Sequence, residues 1–200
     1  MDRHLEDWPL RVGFVTGATP DKWARVYRGR MPSGMELAPV TEAEQTDGLV
    51  DRTLDMALVR LPVDREALGL HCIPLYEELP VAVMGHEHLL SLAEEVTTED
   101  LADEQLVLPE RSGWTPRAEQ LPWPPMSEKD AVETVAAGTG VAIVPMSVAR
   151  LYHRRDATYR VVTDLPGTRV GLAWLVERDD DPRIQAFIGV VRGRTSRSSR

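Results

Sequence analysis

The feature that most constrains this fold is a series of short apolar runs, each as long as one β-strand and separated by helix signals. Three such runs open the chain: Leu10–Val15, Met35–Val40 and Leu54–Val59. The third run is almost wholly apolar, which is typical of a parallel strand that is covered on both faces. Strands that alternate with helices in this order predict a doubly wound α/β layer.

Helix signals occupy the two intervals between these runs. Thr19 precedes Pro20, which predicts an N-cap followed by proline at the first helical position, and this helix is expected to end near Arg30. Thr41 is predicted to cap a second helix, which would bury Val50 on its apolar face. The first part of the chain is therefore expected to form βαβαβ units.

The order of strands and helices restarts near Val81, although the residues themselves do not repeat. Ser127 to Asp130 predicts the capped start of a helix, and Thr97–Leu101 predicts another helix start. Two α/β lobes that are joined in mid-chain would leave a cleft between them. Because open parallel sheets place ligands at the carboxyl ends of their strands, we expect loops of both lobes at that cleft.

Charge and cysteine content exclude several classes of protein. Lys and Arg number 23 against 32 Asp and Glu, which gives a formal net charge of -9 at pH 7. Such a chain repels phosphate, so direct DNA binding is not expected. Residues 193–200 are predicted to be a disordered basic tail. The lone Cys72 excludes a disulfide scaffold, and we find no signal peptide or membrane segment, so the expected compartment is the cytoplasm without a membrane partner.

Two short motifs could suggest catalysis or metal binding. His86 and His88 supply at most two metal ligands, and a third would have to come from elsewhere, so no metal is expected. His71 and Cys72 are neighbours on a predicted strand and therefore point to opposite faces, which does not suit a nucleophile and its base. We therefore expect a non-catalytic protein without a cofactor.

Five motifs, in order along the chain, resemble the effector-binding domain of LysR-type transcriptional regulators. Leu54-Asp55-Met56-Ala57-Leu58-Val59-Arg60-Leu61-Pro62 resembles the family's Leu-Asp-x-Ala-(apolar)2-Arg-x-Pro signature, and residues 135–145 are similar to its Val-x-Ala-Gly-x-Gly-(x)4-Pro motif. The three weaker matches are Pro74–Glu78, Gly85–Ala93 and Thr98–Leu101. The resemblance covers roughly residues 9–192.

The resemblance implies a type 2 periplasmic-binding-protein fold with two α/β lobes, a central cleft and two crossover hinge strands near Val81 and Val161-Val162. Lobe I would comprise residues 9–80 and 164–192, and lobe II residues 81–163. A small effector, often a carboxylate or an aromatic metabolite, is expected to bind in the interlobe cleft. Family members form homodimers, and here the helix around Trp23–Tyr27 would contact the second lobe of the partner.

A winged helix-turn-helix domain normally precedes this domain in the family, and the nine residues before Leu10 cannot hold one. Two interpretations stay open: a stand-alone sensor, or a fragment of a longer regulator that contacts DNA through its helix-turn-helix. An enzyme or a solute-binding protein on the same bilobal fold is the alternative. The enzyme is not favoured because no set of catalytic groups can be assembled from the sequence. The solute-binding protein is not favoured because no signal peptide precedes Leu10.

Candidate ligand-binding residues follow the ends of the first two strands. Thr16, Gly17 and Thr19 lie between the first strand and the first helix, where hydroxyl and backbone N–H groups suit a carboxylate. Thr19 could instead be only a helix cap. Thr41 and Glu42 follow the second strand, and the acidic Glu42 argues against a simple dicarboxylate effector.

Three further candidates lie at the third strand and in the second lobe. Arg60 ends the third strand, where its guanidinium could bind a carboxylate through two hydrogen bonds or form a salt bridge between the lobes. Met126 and Ser127 precede the capped helix of the second lobe and are expected at the same cleft. Ser127 could be both a ligand contact and an N-cap.

Overall fold

Residues 8–108 and 112–193 are described by the computed structural model, in which the chain divides into two α/β units. Unit 1 takes the described residues up to Tyr76 and those from Arg169 onward, and unit 2 takes those from Glu77 to Thr168. Unit 2 is slightly longer at both ends than the second lobe that the sequence predicts. The predicted basic tail lies outside the described residues, apart from Gly193.

The described strands and helices are numbered along the chain. The strands are β1 (Leu10–Val15), β2 (Met35–Val40), β3 (Met56–Arg60), β4 (Leu70–Glu78), β5 (Pro80–Gly85), β6 (Glu95–Val96), β7 (Leu106–Val107), β8 (Val141–Pro145), β9 (Ala157–Val162) and β10 (Thr168–Leu175). The α-helices are α1 (Asp21–Arg28), α2 (Asp47–Val50), α3 (Glu128–Ala136), α4 (Met146–Leu151) and α5 (Pro182–Val191). Short 3-10 helices cover Leu89–Leu92 and Val176–Arg178.

The sheet of unit 1 has the strand order β2-β1-β3-β10-β4, with β1 parallel to both β2 and β3 and with β10 antiparallel to β3. All five residues of β3 are buried, as the apolar run predicts. Helices α1 and α5 pack together, and the ring of Tyr27 meets that of Phe187 edge-on at a centroid distance of 5.7 Å. The parallel α/β layer predicted for the first part of the chain is confirmed.

Two details of the predicted first and second helices are wrong. Helix α1 begins at Asp21 with Pro20 as its N-cap, so Thr19 is not the cap. The first hydrogen bond of the helix runs from the Ala24 N–H to the Pro20 carbonyl at 2.9 Å, so the helix begins one residue later than predicted. Thr41 closes a turn rather than a long helix, because the Glu44 N–H donates to Thr41 Oγ1 at 3.3 Å. Helix α2 is one short turn, and Val50 is 53% exposed rather than buried.

The helix predicted to start at Thr97 is also wrong. Asp100 Oδ2 accepts hydrogen bonds from Thr97 N at 2.8 Å and Thr97 Oγ1 at 2.7 Å, as a capping contact would, but only turns follow. The carbonyl of Ala102 explains this, because it accepts from the backbone N–H groups of Arg117 at 2.7 Å and Ala118 at 3.1 Å instead of continuing a helix.

The sheet of unit 2 has the strand order β6-β9-β5-β8-β7, in which β5 is antiparallel to both β9 and β8. Ser127 caps α3 as predicted, since its Oγ accepts the Asp130 N–H at 3.2 Å. The helix ends before Gly138, which has a positive φ of 93°. None of the helices within the described ranges is long and apolar enough to cross a membrane.

A buried ion network ties the start of β3 to the N-terminus of α5. Asp55 accepts hydrogen bonds from Arg11 N at 2.8 Å, Arg11 Nη2 at 3.1 Å and Arg178 Nη1 at 2.5 Å. Asp181 is the N-cap of α5 and pairs with Arg178 Nη2 at 2.6 Å and with Arg183 Nη2 at 2.7 Å. This network places the aspartate of the Leu54–Pro62 motif in a structural role, away from the carboxyl end of β3.

Candidate functional site

The carboxyl ends of β1, β2 and β3 meet at one edge of the unit 1 sheet. The Cα pairs at these ends are Val15 with Val40 and Phe14 with Leu58. When both parallel registers are continued, Thr16, Thr41 and Arg60 come side by side, with Thr16 in the middle because β1 lies between β2 and β3. Ligands of open α/β sheets bind at such an edge, so we call this set of strand ends the carboxyl edge.

Arg60 is the cation of the carboxyl edge and is 3% exposed. Its Nη1 lies 3.6 Å from Glu42 Oε2, and the side chain of Glu42 is 30% exposed. The guanidinium is permanently charged, so its burial requires compensation by anionic or hydrogen-bonding groups. The carboxyl edge therefore contains a cation and an anion in close contact, with the anion more accessible than the cation.

Gln45 fixes the backbone that carries Arg60, and sequence reasoning missed it. The Arg60 N–H donates to Gln45 Oε1 at 2.7 Å, and Gln45 Nε2 donates to the Arg60 carbonyl at 3.1 Å. These two hydrogen bonds reproduce the pairing that another strand would supply. No motif signals this role, because the contact depends on how the turns after β2 bring Gln45 back to the end of β3.

The segment after β1 is a tight turn. Gly17 has a φ of +89°, a left-handed conformation that favours glycine, and the Ala18 N–H donates to the Val15 carbonyl at 2.9 Å. Thr16 is half-buried and Thr19 is exposed. Pro20 is the N-cap of α1, so Thr19 does not cap this helix. The alternative in which Thr19 is only a helix cap is therefore wrong.

The hydroxyl groups of Thr41 and Ser127 already have partners within their own units. Thr41 Oγ1 donates to Glu44 Oε2 at 2.8 Å. In unit 2, Ser127 Oγ donates to Asp130 Oδ2 at 2.8 Å, and Met126 is half-buried against a core cluster of that unit. Of the predicted site residues, the structure brings those of the first three strand ends to the carboxyl edge, whereas Met126 and Ser127 belong to unit 2.

The side chains that might suggest catalysis or metal binding have ordinary structural surroundings. Burial raises the pKa of the half-buried Cys72 thiol, which favours the unreactive protonated form. His88 Nδ1 accepts the Leu90 N–H at 3.2 Å, and His88 Nε2 lies 3.3 Å from Glu104 Oε1. Across residues 8–108 and 112–193, no three His, Cys, Asp or Glu side chains cluster so that they could hold a metal ion.

The family model described as "LysR substrate binding domain" matches residues 10–196. The chain belongs to the LysR substrate-binding domain family. Over 201 residues it is 27% identical to the HTH-type transcriptional regulator AlsR of Bacillus subtilis, with 90% of this chain and 65% of that protein covered. It is 30% identical over 188 residues to a probable hydrogen peroxide-inducible genes activator of Mycobacterium leprae, with 82% and 58% covered. This LysR domain thus spans less than two thirds of these relatives.

Solved structures of LysR-type proteins share the fold. The BenM effector binding domain with its effector benzoate superposes with a TM-score of 0.72 at 20% identity, covering 92% of this chain and 90% of that one. An H2O2-bound OxyR C206S mutant of Corynebacterium glutamicum gives a TM-score of 0.71 at 21% identity, covering 92% and 67%. The predicted type 2 periplasmic-binding-protein-like fold is confirmed. The matched relatives are regulators rather than enzymes, which agrees with the prediction of a non-catalytic LysR domain.

Proposed function

We propose that this LysR substrate-binding domain binds a small carboxylate metabolite at the carboxyl edge and does not catalyse a reaction on it. In this proposal Arg60 is the cation that holds the carboxylate. The observation that carries the proposal is the position of Arg60, a buried guanidinium at the end of β3, the central strand of the unit 1 sheet. The solved BenM domain supports the ligand class, because its effector, benzoate, is a carboxylate.

The surroundings of Arg60 suit a preorganised anion site. The two hydrogen bonds with Gln45 hold the backbone of Arg60 in place before a ligand arrives, so less conformational entropy is lost on binding. A guanidinium can bind both oxygens of a carboxylate in parallel, and such charge-assisted pairs are roughly twice as strong as neutral hydrogen bonds. In this proposal Thr16 and Gly17 supply further polar groups from the end of β1. Met126 and Ser127 stay predicted ligand contacts.

Replacing Arg60 by alanine is expected to weaken binding of a carboxylate by about tenfold or more, because a charge-assisted hydrogen-bonded pair is lost. The ligand is first found by thermal shift with a panel of small aliphatic and aromatic carboxylates that includes benzoate. The dissociation constant of each hit is then measured by calorimetry for the wild type and Arg60→Ala. Arg65→Ala is the matched control, since Arg65 is an exposed arginine of the loop after β3. Unchanged affinity in Arg60→Ala would remove Arg60 from the site.

Peroxide sensing by a cysteine is not part of this proposal, although two of the matched proteins are named for hydrogen peroxide. Cys72 is the one cysteine of the sequence. Its thiol pKa is raised by burial, and the thiolate is the form that reacts with oxidants. A protein that senses peroxide through a thiol needs the opposite shift.

We further propose that the domain is a homodimer in the cytoplasm and serves a regulator that contacts DNA through a helix-turn-helix domain outside this chain. The net charge of -9 supports a chain that does not itself bind DNA. The segment Trp23–Tyr27 of α1 is the proposed dimer contact, and Val26 within it is 40% exposed.

Sedimentation at tens of micromolar is expected to show a dimer for the wild type. Val26→Asp should shift the population toward monomer, because a charge would be buried at the interface. Val50→Asp is the matched control, since Val50 is 53% exposed on the same unit but lies on α2. A wild-type monomer at this concentration would refute the dimer.

A further inference from the structure

The contact between Arg60 and Glu42 bears on which carboxylates the carboxyl edge can accept. We propose that the site selects ligands with an ammonium group beside the carboxylate, as in an α-amino acid, and that Glu42 is the residue that binds the ammonium. This inference rests on the proposed function, because it takes Arg60 as the group that holds the ligand carboxylate.

The distance between the two charged groups carries the argument. Arg60 Nη1 and Glu42 Oε2 are 3.6 Å apart, so a carboxylate bound to the guanidinium would lie close to the Glu42 carboxylate as well. Like charges at such separations repel strongly where water is partly excluded. A ligand with a positive group next to its carboxylate meets both side chains with opposite charge, and electrostatic complementarity of this kind gives specificity.

The exposure of Glu42 and the restraint on Arg60 also favour a ligand with an ammonium group. The Glu42 side chain is 30% exposed whereas Arg60 is 3% exposed, so Glu42 offers a surface on which a ligand ammonium can lie. Arg60 has little room to withdraw from Glu42, because its side chain is buried and Gln45 holds its backbone through two hydrogen bonds. A simple carboxylate would therefore have to bind with the repulsion in place.

The charge of the neighbouring segment adds to this preference. Residues 41–50, which follow β2, contain the acids Glu42, Glu44 and Asp47 and no Lys or Arg. Glu44 is exposed and accepts a hydrogen bond from Thr41 Oγ1, which places its carboxyl group near the rim of the carboxyl edge. The negative potential around this segment disfavours an anion and favours a ligand that is neutral overall and carries an ammonium group.

The experiment compares pairs of ligands that share a carbon skeleton and differ in the amino group. Suitable pairs are alanine and propionate, leucine and 4-methylpentanoate, phenylalanine and 3-phenylpropionate, and glutamate and glutarate. Thermal shift finds the skeleton that binds, and calorimetry then gives both dissociation constants. We expect the amino acid of that pair to bind the wild type at least about tenfold more tightly than its counterpart, as for loss of one charge-assisted pair.

Glu42→Gln is expected to reduce this preference to about threefold or less. It should also improve binding of the counterpart without the amino group, because the repulsion between the Glu42 carboxylate and the ligand carboxylate is removed while the side-chain shape is kept. Glu36→Gln is the matched control, since Glu36 is an exposed acid near the start of β2, at the opposite end of that strand from the carboxyl edge, and it should leave the preference unchanged.

The possible results either separate the two proposals or refute both. If ligands without the amino group bind the wild type as tightly as amino acids and lose affinity in Arg60→Ala, the proposed function stands and the selection by Glu42 is refuted. If amino acids are preferred but Glu42→Gln keeps the preference, Glu42 is not the ammonium-binding residue. If no carboxylate of either kind binds, the carboxyl edge is not a carboxylate site and both proposals fall.

Discussion

Asp55→Ala is expected to lower the free energy of unfolding by about 3–5 kcal/mol, because it removes one partner of a buried ion network and leaves arginines without that charge. Asp55 is 2% exposed and joins Arg11 of β1 to Arg178 near α5. Urea denaturation followed by circular dichroism measures the change. Glu36→Gln is the control, since Glu36 is an exposed acid on β2. A loss below about 0.5 kcal/mol in Asp55→Ala would show that the network contributes little, as exposed ion pairs do.

The pH dependence of the same variant gives a second check with a definite sign. Burial would raise the pKa of Asp55, but hydrogen bonds from Arg11 and Arg178 outweigh burial and lower it. For Asp181 the same balance of burial against hydrogen bonds from Arg183 and Arg178 lowers the pKa to about 2. A carboxyl group with a lowered pKa stabilises the fold above its ordinary pKa and loses that effect as the pH falls. The difference between wild type and Asp55→Ala should therefore shrink below about pH 4.

Strands β1, β2 and β3 could be predicted because each is a short apolar run, and the meeting of their carboxyl ends at one edge followed from parallel order alone. Only the family resemblance indicated strand β9, through the hinge strand expected near Val161-Val162; the local pattern did not, because most residues of Ala157–Val162 are only half-buried and the run lacks a continuous apolar pattern. Strand β6 is two residues long and exists through its parallel pairing with β9. Elements of this kind depend on neighbours that are distant in sequence, which a local pattern does not contain.

The candidate site shows the same limit at the level of single side chains. Arg60 and Glu42 were predicted from their positions after strands, but their contact at 3.6 Å depends on the turns between them. Gln45 was missed because both of its hydrogen bonds go to the backbone of a residue fifteen positions away. Strand order predicts which residues reach an edge, whereas partner choice at that edge depends on loop geometry.

The two glycines of the Val-x-Ala-Gly-x-Gly motif meet different physical demands. Gly138 has a positive φ of 93° with open space where a Cβ would lie. Gly140 has a positive φ of 64°, and a Cβ there would lie 2.2 Å from the Gln105 carbonyl oxygen. Gln105 cannot easily move, because its carbonyl accepts the Val141 N–H at 2.9 Å and its side-chain amide donates to the Glu119 carbonyl at 2.9 Å. The first glycine is needed for backbone conformation, and the second also for the close approach of β7 and β8.

Gly140→Ala is therefore expected to destabilise unit 2 by about 2–5 kcal/mol, since backbone strain of about 1–2 kcal/mol adds to overpacking of about 1–3 kcal/mol. Gly138→Ala is the matched control and should show the strain alone. Thermal and urea unfolding of both variants measures the difference. Equal losses in the two variants would mean that the strands can separate at Gln105, and would assign the requirement for Gly140 to its dihedral angles instead of to the contact between β7 and β8.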